Sequence, residues 1–108
     1  MLLLAAWLLL SPAAQPVLAA VGPVEGGQLF EAHCAGCHIH GGNIIRRGKT
    51  LKLAALERQG VASPEAIALI AAFGVGQMGG YGEVLGEEGV QAVADWVWAQ
   101  AQAGWPSA

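Results

Sequence analysis

The stretch Cys34-Ala35-Gly36-Cys37-His38 constrains this chain more than any other. Two cysteines in C-x-x-C spacing, followed at once by histidine, form the attachment signature of a c-type haem. Each thiol can add to one porphyrin vinyl group, giving a thioether that holds the ring for good. His38 then lies under the ring, where an imidazole nitrogen can bind the iron. On this reading Cys34 and Cys37 bind one haem c covalently and His38 is an axial ligand. Three rival uses are weaker. A disulfide between such close cysteines closes a tiny loop, which is geometrically tight and adds little stability. Zinc held by Cys34, Cys37, His38 and His40 lacks the second, distant ligand pair of structural sites. A thiol-disulfide enzyme wants a βαβ pattern around the motif, and none is present.

The chain has 108 residues, 55% of them hydrophobic, and a formal net charge of -3. That allows one domain at most. Much of the apolar excess lies in the run from Met1 to Leu10, which a Ser-Pro-Ala-Ala-Gln-Pro break separates from Val17-Leu18-Ala19-Ala20. An apolar core of about ten residues is too short for a membrane span and suits the h-region of a signal peptide. Val17 and Ala19 fit a cut before Ala20, although no Lys or Arg precedes the run. The expected division is residues 1–19 as a cleaved export signal and 20–108 as a mature domain that is not membrane-anchored. A domain this small is marginal by its own contacts, and a bound haem would complete its core.

Read for periodicity, the mature chain is all-α, with about four helices and no strand pattern. A first helix covers 25–34, with Leu29, Phe30 and His33 on one side. Residues 39–49 are a glycine-containing loop. Thr50 can cap a short helix over 51–59, ended by Gly60. Ser63 and Pro64 start a helix that runs to about Phe73, with Ile67, Ile70 and Ala71 as its buried stripe. The glycine-rich stretch 74–82 interrupts. The longest helix covers 87–103, and Gly104 closes it.

An electron-carrying haem needs a second axial ligand, and methionine in that place raises the reduction potential. The chain has two methionines, and Met1 leaves with the signal. Met78, in the glycine loop, is therefore the candidate for the opposite face of the ring. His33 and His40 are too close to the tethered motif to reach that face, and they read as surface residues. All five Lys and Arg (Arg46, Arg47, Lys49, Lys52, Arg58) fall between residues 46 and 58. This segregation makes a solvated basic face, or a dipole that orients the molecule on a charged partner or meets the haem propionates. The balance is too acidic for nucleic-acid binding.

With these residues in place, the mature chain resembles class I cytochrome c, and most closely the cytochrome c6 group. Gly26 and Phe30 before the haem motif, Gly41-Gly42-Asn43, Lys49-Thr50-Leu51, Met78, Trp96 and Gly104-Trp105 carry the resemblance. It implies a class I cytochrome c fold wrapped round one haem, and a monomeric, soluble one-electron carrier that is not an enzyme. The implied partners are the cytochrome bf complex as donor and photosystem I, or a terminal oxidase, as acceptor. The implied place is the thylakoid lumen or the periplasm. Three positions depart from the family pattern. Gly79 stands where proline commonly follows the axial methionine, and Val84 stands where an arginine often serves docking to photosystem I. Counting back from Met78 without gaps, Ala72 stands where many photosynthetic members carry a glutamine near the ring. These departures leave two alternatives: a c6-like cytochrome with another partner, and a ligand-binding or sensing haem protein in which Met78 is labile.

Overall fold

A computed structural model describes residues 23–106; the expected export signal lies outside them. Five α-helices follow in order: α1 Pro23–His33, the single turn α2 Ala35–His38, α3 Leu53–Arg58, α4 Pro64–Phe73 and α5 Gly82–Ala103. A 3₁₀ turn, Ile39–Gly41, continues α2. The described residues hold no strand, and one isolated bridge joins Val75 to Met78. This is the all-α architecture that the periodicity predicts.

The frame is the crossing of α1 with α5. Gly26 makes it possible, because a Cβ there would run into the Ala92 carbonyl. Without a side chain at the crossing the two backbones meet directly, and Phe30, Val93, Ala94 and Val97 close the seam behind it. An aromatic cluster extends that seam. The Phe30 ring lies 4.9 Å from Trp96 and 5.5 Å from Trp105, and the two indoles meet edge to face at 5.7 Å. α4 packs on the other part of α5 through Ile67 and Ala71, with Ile70 half-buried.

The helix ends follow local chemistry. Ser63 caps α4, its Oγ accepting from the Ala66 N–H at 3.1 Å with Pro64 at the first position. Gly104 ends α5 in the left-handed region, and its N–H bonds to Ala101 while that of Trp105 bonds to Gln100. This is a Schellman closure, and it turns Trp105 back onto the core. The structure differs from the periodicity reading at three starts. α1 begins at Pro23, two residues before the expected start at 25. α3 begins at Leu53 with Lys52 as N-cap, and Thr50 makes only a 3.4 Å bond to the Lys52 N–H. α5 begins at Gly82 but kinks at Gly86, with φ 72°, so its straight part starts at Glu87 as expected.

Candidate functional site

The cysteine motif grows out of the end of α1. Cys34 donates its N–H to the Phe30 carbonyl, and its own carbonyl accepts from Cys37 and His38. Phe30 is a core residue, so the turn hangs from the best-anchored point of α1. No residue of α2 is buried, which leaves its side chains available. Cys34 is half-buried, Cys37 is exposed, and neither is in a disulfide. Burial pushes the Cys34 thiol up to about 11.

His38 is half-buried, and its Nδ1 lies 2.7 Å from the Gly42 carbonyl oxygen. A carbonyl can only accept, so Nδ1 carries the hydrogen and Nε2 keeps its lone pair. One nitrogen anchored to a carbonyl and the other free is how metal-ligating histidines are held. His40 and Gly41 both have positive φ, at 54° and 75°. They reverse the chain so that Gly42 comes back to the imidazole.

From Gly42 to Thr50 the chain forms a loop closed at its neck by the Leu51 N–H donating to the Gly41 carbonyl at 2.8 Å. Asn43 braces it from within. Its Oδ1 accepts from the N–H groups of Ile45 and Arg46, at 2.9 and 2.7 Å, and its Nδ2 donates to Lys49 at 2.9 Å. The Ile44 N–H donates to the Cys37 carbonyl, and Lys52 Nζ donates to the His40 carbonyl. The loop is thereby fastened to the cysteine motif.

Met78 sits in a two-residue hairpin. Val75 and Met78 exchange both backbone bonds, at 3.0 and 2.9 Å. Gly76, at φ 56°, takes the first central position, as a type II′ turn requires. The Tyr81 N–H donates to Ala71, tying the far side of this segment to α4. Met78 is half-buried, and its thioether is a soft donor. Among the described residues no three His, Cys, Asp or Glu side chains form a cluster able to hold a metal ion. What the chain offers is the donor set of a haem c: two unbridged thiols, one oriented imidazole and one thioether.

The other residues singled out in the sequence fall into place around this. His40 is exposed, while His33 is half-buried with its ring 6.1 Å from that of Tyr81. Val84 is 65% exposed. The Ala72 backbone lies against Gly80 and Gly82, at the join of α4 with α5. Sequence reasoning missed the Gly42 carbonyl and the Asn43 brace. It also missed the Trp105 Nε1–H, which donates to the Leu51 carbonyl at 3.0 Å.

Comparisons with known proteins bear on the family and its cofactor. The profile of the family described as "Cytochrome C oxidase, cbb3-type, subunit III" matches residues 23–97. The chain is 43% identical over 104 residues to a "Cytochrome c6-like" protein of Nostoc sp. PCC 7120, covering 96% of this chain and 94% of that one. The crystal structure of cytochrome c6B from Synechococcus sp. WH8102 is 65% identical, with a TM-score of 0.73 over 75% of this chain and 92% of its own. Oxidised cytochrome c6A from Arabidopsis thaliana is 38% identical, with a TM-score of 0.75 over 82% of this chain and 99% of its own. The fold, the C-x-x-C-H motif and these relatives together make the chain a c6-like member of the class I cytochromes c, an electron carrier with one covalently bound haem c.

Proposed function

We propose that Cys34 and Cys37 hold the haem through thioethers, and that His38 Nε2 and the Met78 thioether are its axial ligands. The observation that carries this reading is the 2.7 Å contact of His38 Nδ1 with the Gly42 carbonyl, which fixes the tautomer and aims the lone pair. The Val75–Met78 hairpin supports the other half, since it holds the methionine backbone at a set register. When bound, the haem supplies a one-electron Fe(III)/Fe(II) couple. The polypeptide's work is to fix both ligands, exclude water from the iron and present a surface to partners. Methionine ligation raises the potential, which suits a carrier that accepts electrons from a cytochrome bf complex. The acceptor is then photosystem I or a terminal oxidase, and the compartment is the thylakoid lumen or the periplasm, reached through the 1–19 signal. The exposed Val84, where an arginine often serves docking to photosystem I, favours a c6-like carrier with an acceptor of its own.

The test is a spectroelectrochemical titration of the holoprotein, co-expressed with c-type haem maturation machinery. The expected result is one reversible one-electron couple at high positive potential, with the oxidised spectrum of methionine ligation. Met78→Ala should lower the potential and let the reduced form bind carbon monoxide at neutral pH. If the unaltered protein already binds carbon monoxide under those conditions, the ligand-binding reading replaces the carrier. Recovery of a folded chain without attached haem would overturn both.

A further inference from the structure

Trp105 stands two residues past the end of α5, yet its side chain reaches the segment that orients His38. The residue is 5% exposed, and packing with Phe30 and Trp96 accounts for that burial. Packing does not account for two further contacts. The Nε1–H donates to the Leu51 carbonyl at 3.0 Å, and the Leu51 N–H donates in turn to the Gly41 carbonyl at 2.8 Å. Gly41 itself lies under the indole: a Cβ there would fall 2.5 Å from Trp105 Cδ2 and Cε2 and 2.7 Å from Nε1. Near-equal distances to three atoms of the pyrrole ring mean that the indole presents its face to Gly41. The next residue, Gly42, carries the carbonyl that accepts from His38 Nδ1 at 2.7 Å. Backbone strain marks the same place. Among the described residues, His40 and Trp105 are the non-glycines with positive φ, at 54° and 61°. Such conformations are costly for a residue with a side chain, and they persist where the surrounding contacts over-determine them. Here the two strained residues stand on either side of one contact. The Lys52 bond to the His40 carbonyl lies at the surface, so the buried hold on this turn is the Trp105 ring.

We infer that Trp105 is a positioning residue for His38. With its face against Gly41 and its N–H on Leu51, it holds the reversal at His40 and Gly41 closed. The Gly42 carbonyl is thereby kept within hydrogen-bond reach of Nδ1. The inference rests on the reading of His38 as an axial ligand and deepens it. An outer hydrogen bond to a metal-ligating histidine fixes its ring orientation and raises its basicity, and a more basic ligand favours the oxidised metal. Loosening the Trp105 hold should therefore raise the reduction potential. A ring that only fills the core would, on removal, cost stability and change nothing at His38.

The test compares three holoprotein variants with the unaltered protein. Trp105→Phe keeps an aromatic face and removes the N–H, and Trp105→Leu removes both. Ile67→Val, in a buried residue of α4 that takes no part in the contact with Gly41 and Leu51, is the destabilised control. In the reduced, isotope-labelled proteins, NMR follows exchange of the His38 ring N–H with solvent deuterium, and a redox titration gives the potential. Exchange should be about five- to tenfold faster in Trp105→Phe, as the loss of one hydrogen bond implies, and faster again in Trp105→Leu. The potential should rise in the same order, and Ile67→Val should leave both readouts unchanged. If Trp105→Phe matches Ile67→Val in exchange and in potential, Trp105 is a core residue only and the proposal is overturned. Should neither Trp105 variant take up haem, native-state exchange in the unaltered protein decides. The Trp105 and His38 ring N–H groups should then be exposed by one opening, with the same dependence on low denaturant. An indole N–H that exchanges while the His38 N–H stays protected would refute the inference. The ligation reading fails separately and first: without the upfield shift that a haem ring current gives an iron-bound imidazole, the His38 ring protons of the unaltered protein would already exclude it.

Discussion

Asn43 does work that its surroundings hide. One amide accepts from two backbone N–H groups and donates across the loop to Lys49. Removing it leaves those groups to water or to nothing. These bonds lie at the surface, so Asn43→Ala should cost the holoprotein about 1 kcal/mol, lowering the midpoint of thermal unfolding by several degrees in a domain of this size. Asn43→Asp, which keeps the acceptor and loses the donor, should fall between. Circular dichroism melts of the three proteins decide it, and equal midpoints would show that water replaces the brace without penalty. The contrast with Cys34, Cys37, His38 and Met78 shows what a sequence can carry at this scale. Those four stand out in the sequence because the haem attachment and iron ligation proposed for them demand particular side chains at particular spacings. Asn43 after two glycines reads only as a turn residue, and the Gly42 carbonyl that orients His38 belongs to a backbone every residue shares.

At the scale of elements the α1–α5 crossing dominates. A β-branched side chain at Gly26 meets the Ala92 carbonyl and the Trp96 Cβ, both parts of a helix that cannot step aside without opening the seam. Gly26→Val should therefore cost about 3 kcal/mol, the upper end for overpacking. It would be read as a lower guanidinium midpoint with an unchanged denaturant slope. Gly36→Ala, whose Cβ meets nothing within 4 Å, is the matched control. Helix boundaries were legible where a cap marks them, as at Ser63-Pro64 and Gly104. They were not where one glycine bends a continuing helix, as at Gly86, or where a short helix starts without a side-chain cap, as at Lys52. The single turn α2 has no periodicity to read; it exists because the Cys34 carbonyl gathers two N–H groups.

Across the whole molecule the polypeptide core is small, and alanines take a large share of it. Among the described residues Ala55, Ala71, Ala92, Ala94 and Ala101 are buried beside the larger Phe30, Leu56, Ile67 and Trp105. Alanines bury little apolar area each, so such a core is marginal for a domain of this length. Cys34→Ser/Cys37→Ser, which removes both attachment points, should give a chain with lower far-ultraviolet helicity, a broad melt and binding of the dye ANS. A sharp, cooperative melt in that variant would show that the polypeptide suffices alone. The fold class was legible because helical periodicity and its absence of alternation are global properties of the chain. The segregation of charge was legible too, but the bonds that brace the basic loop form only on folding.

The tie from the Trp105 indole to the Leu51 carbonyl has a consequence in time. A chain is made from its N-terminus, and helices that emerge early can form while the rest is still being added. Phe30 and the cysteine turn emerge well before Trp96 and Trp105, the rings that cover Phe30. The clasp over the neck of the basic loop is fastened later still, by one of the last described residues. Contacts so distant in sequence are slow to form. For that interval the turn that carries Cys34, Cys37 and His38 is not yet roofed, and the thioether attachment proposed for the two thiols would have its opening before the fold shuts.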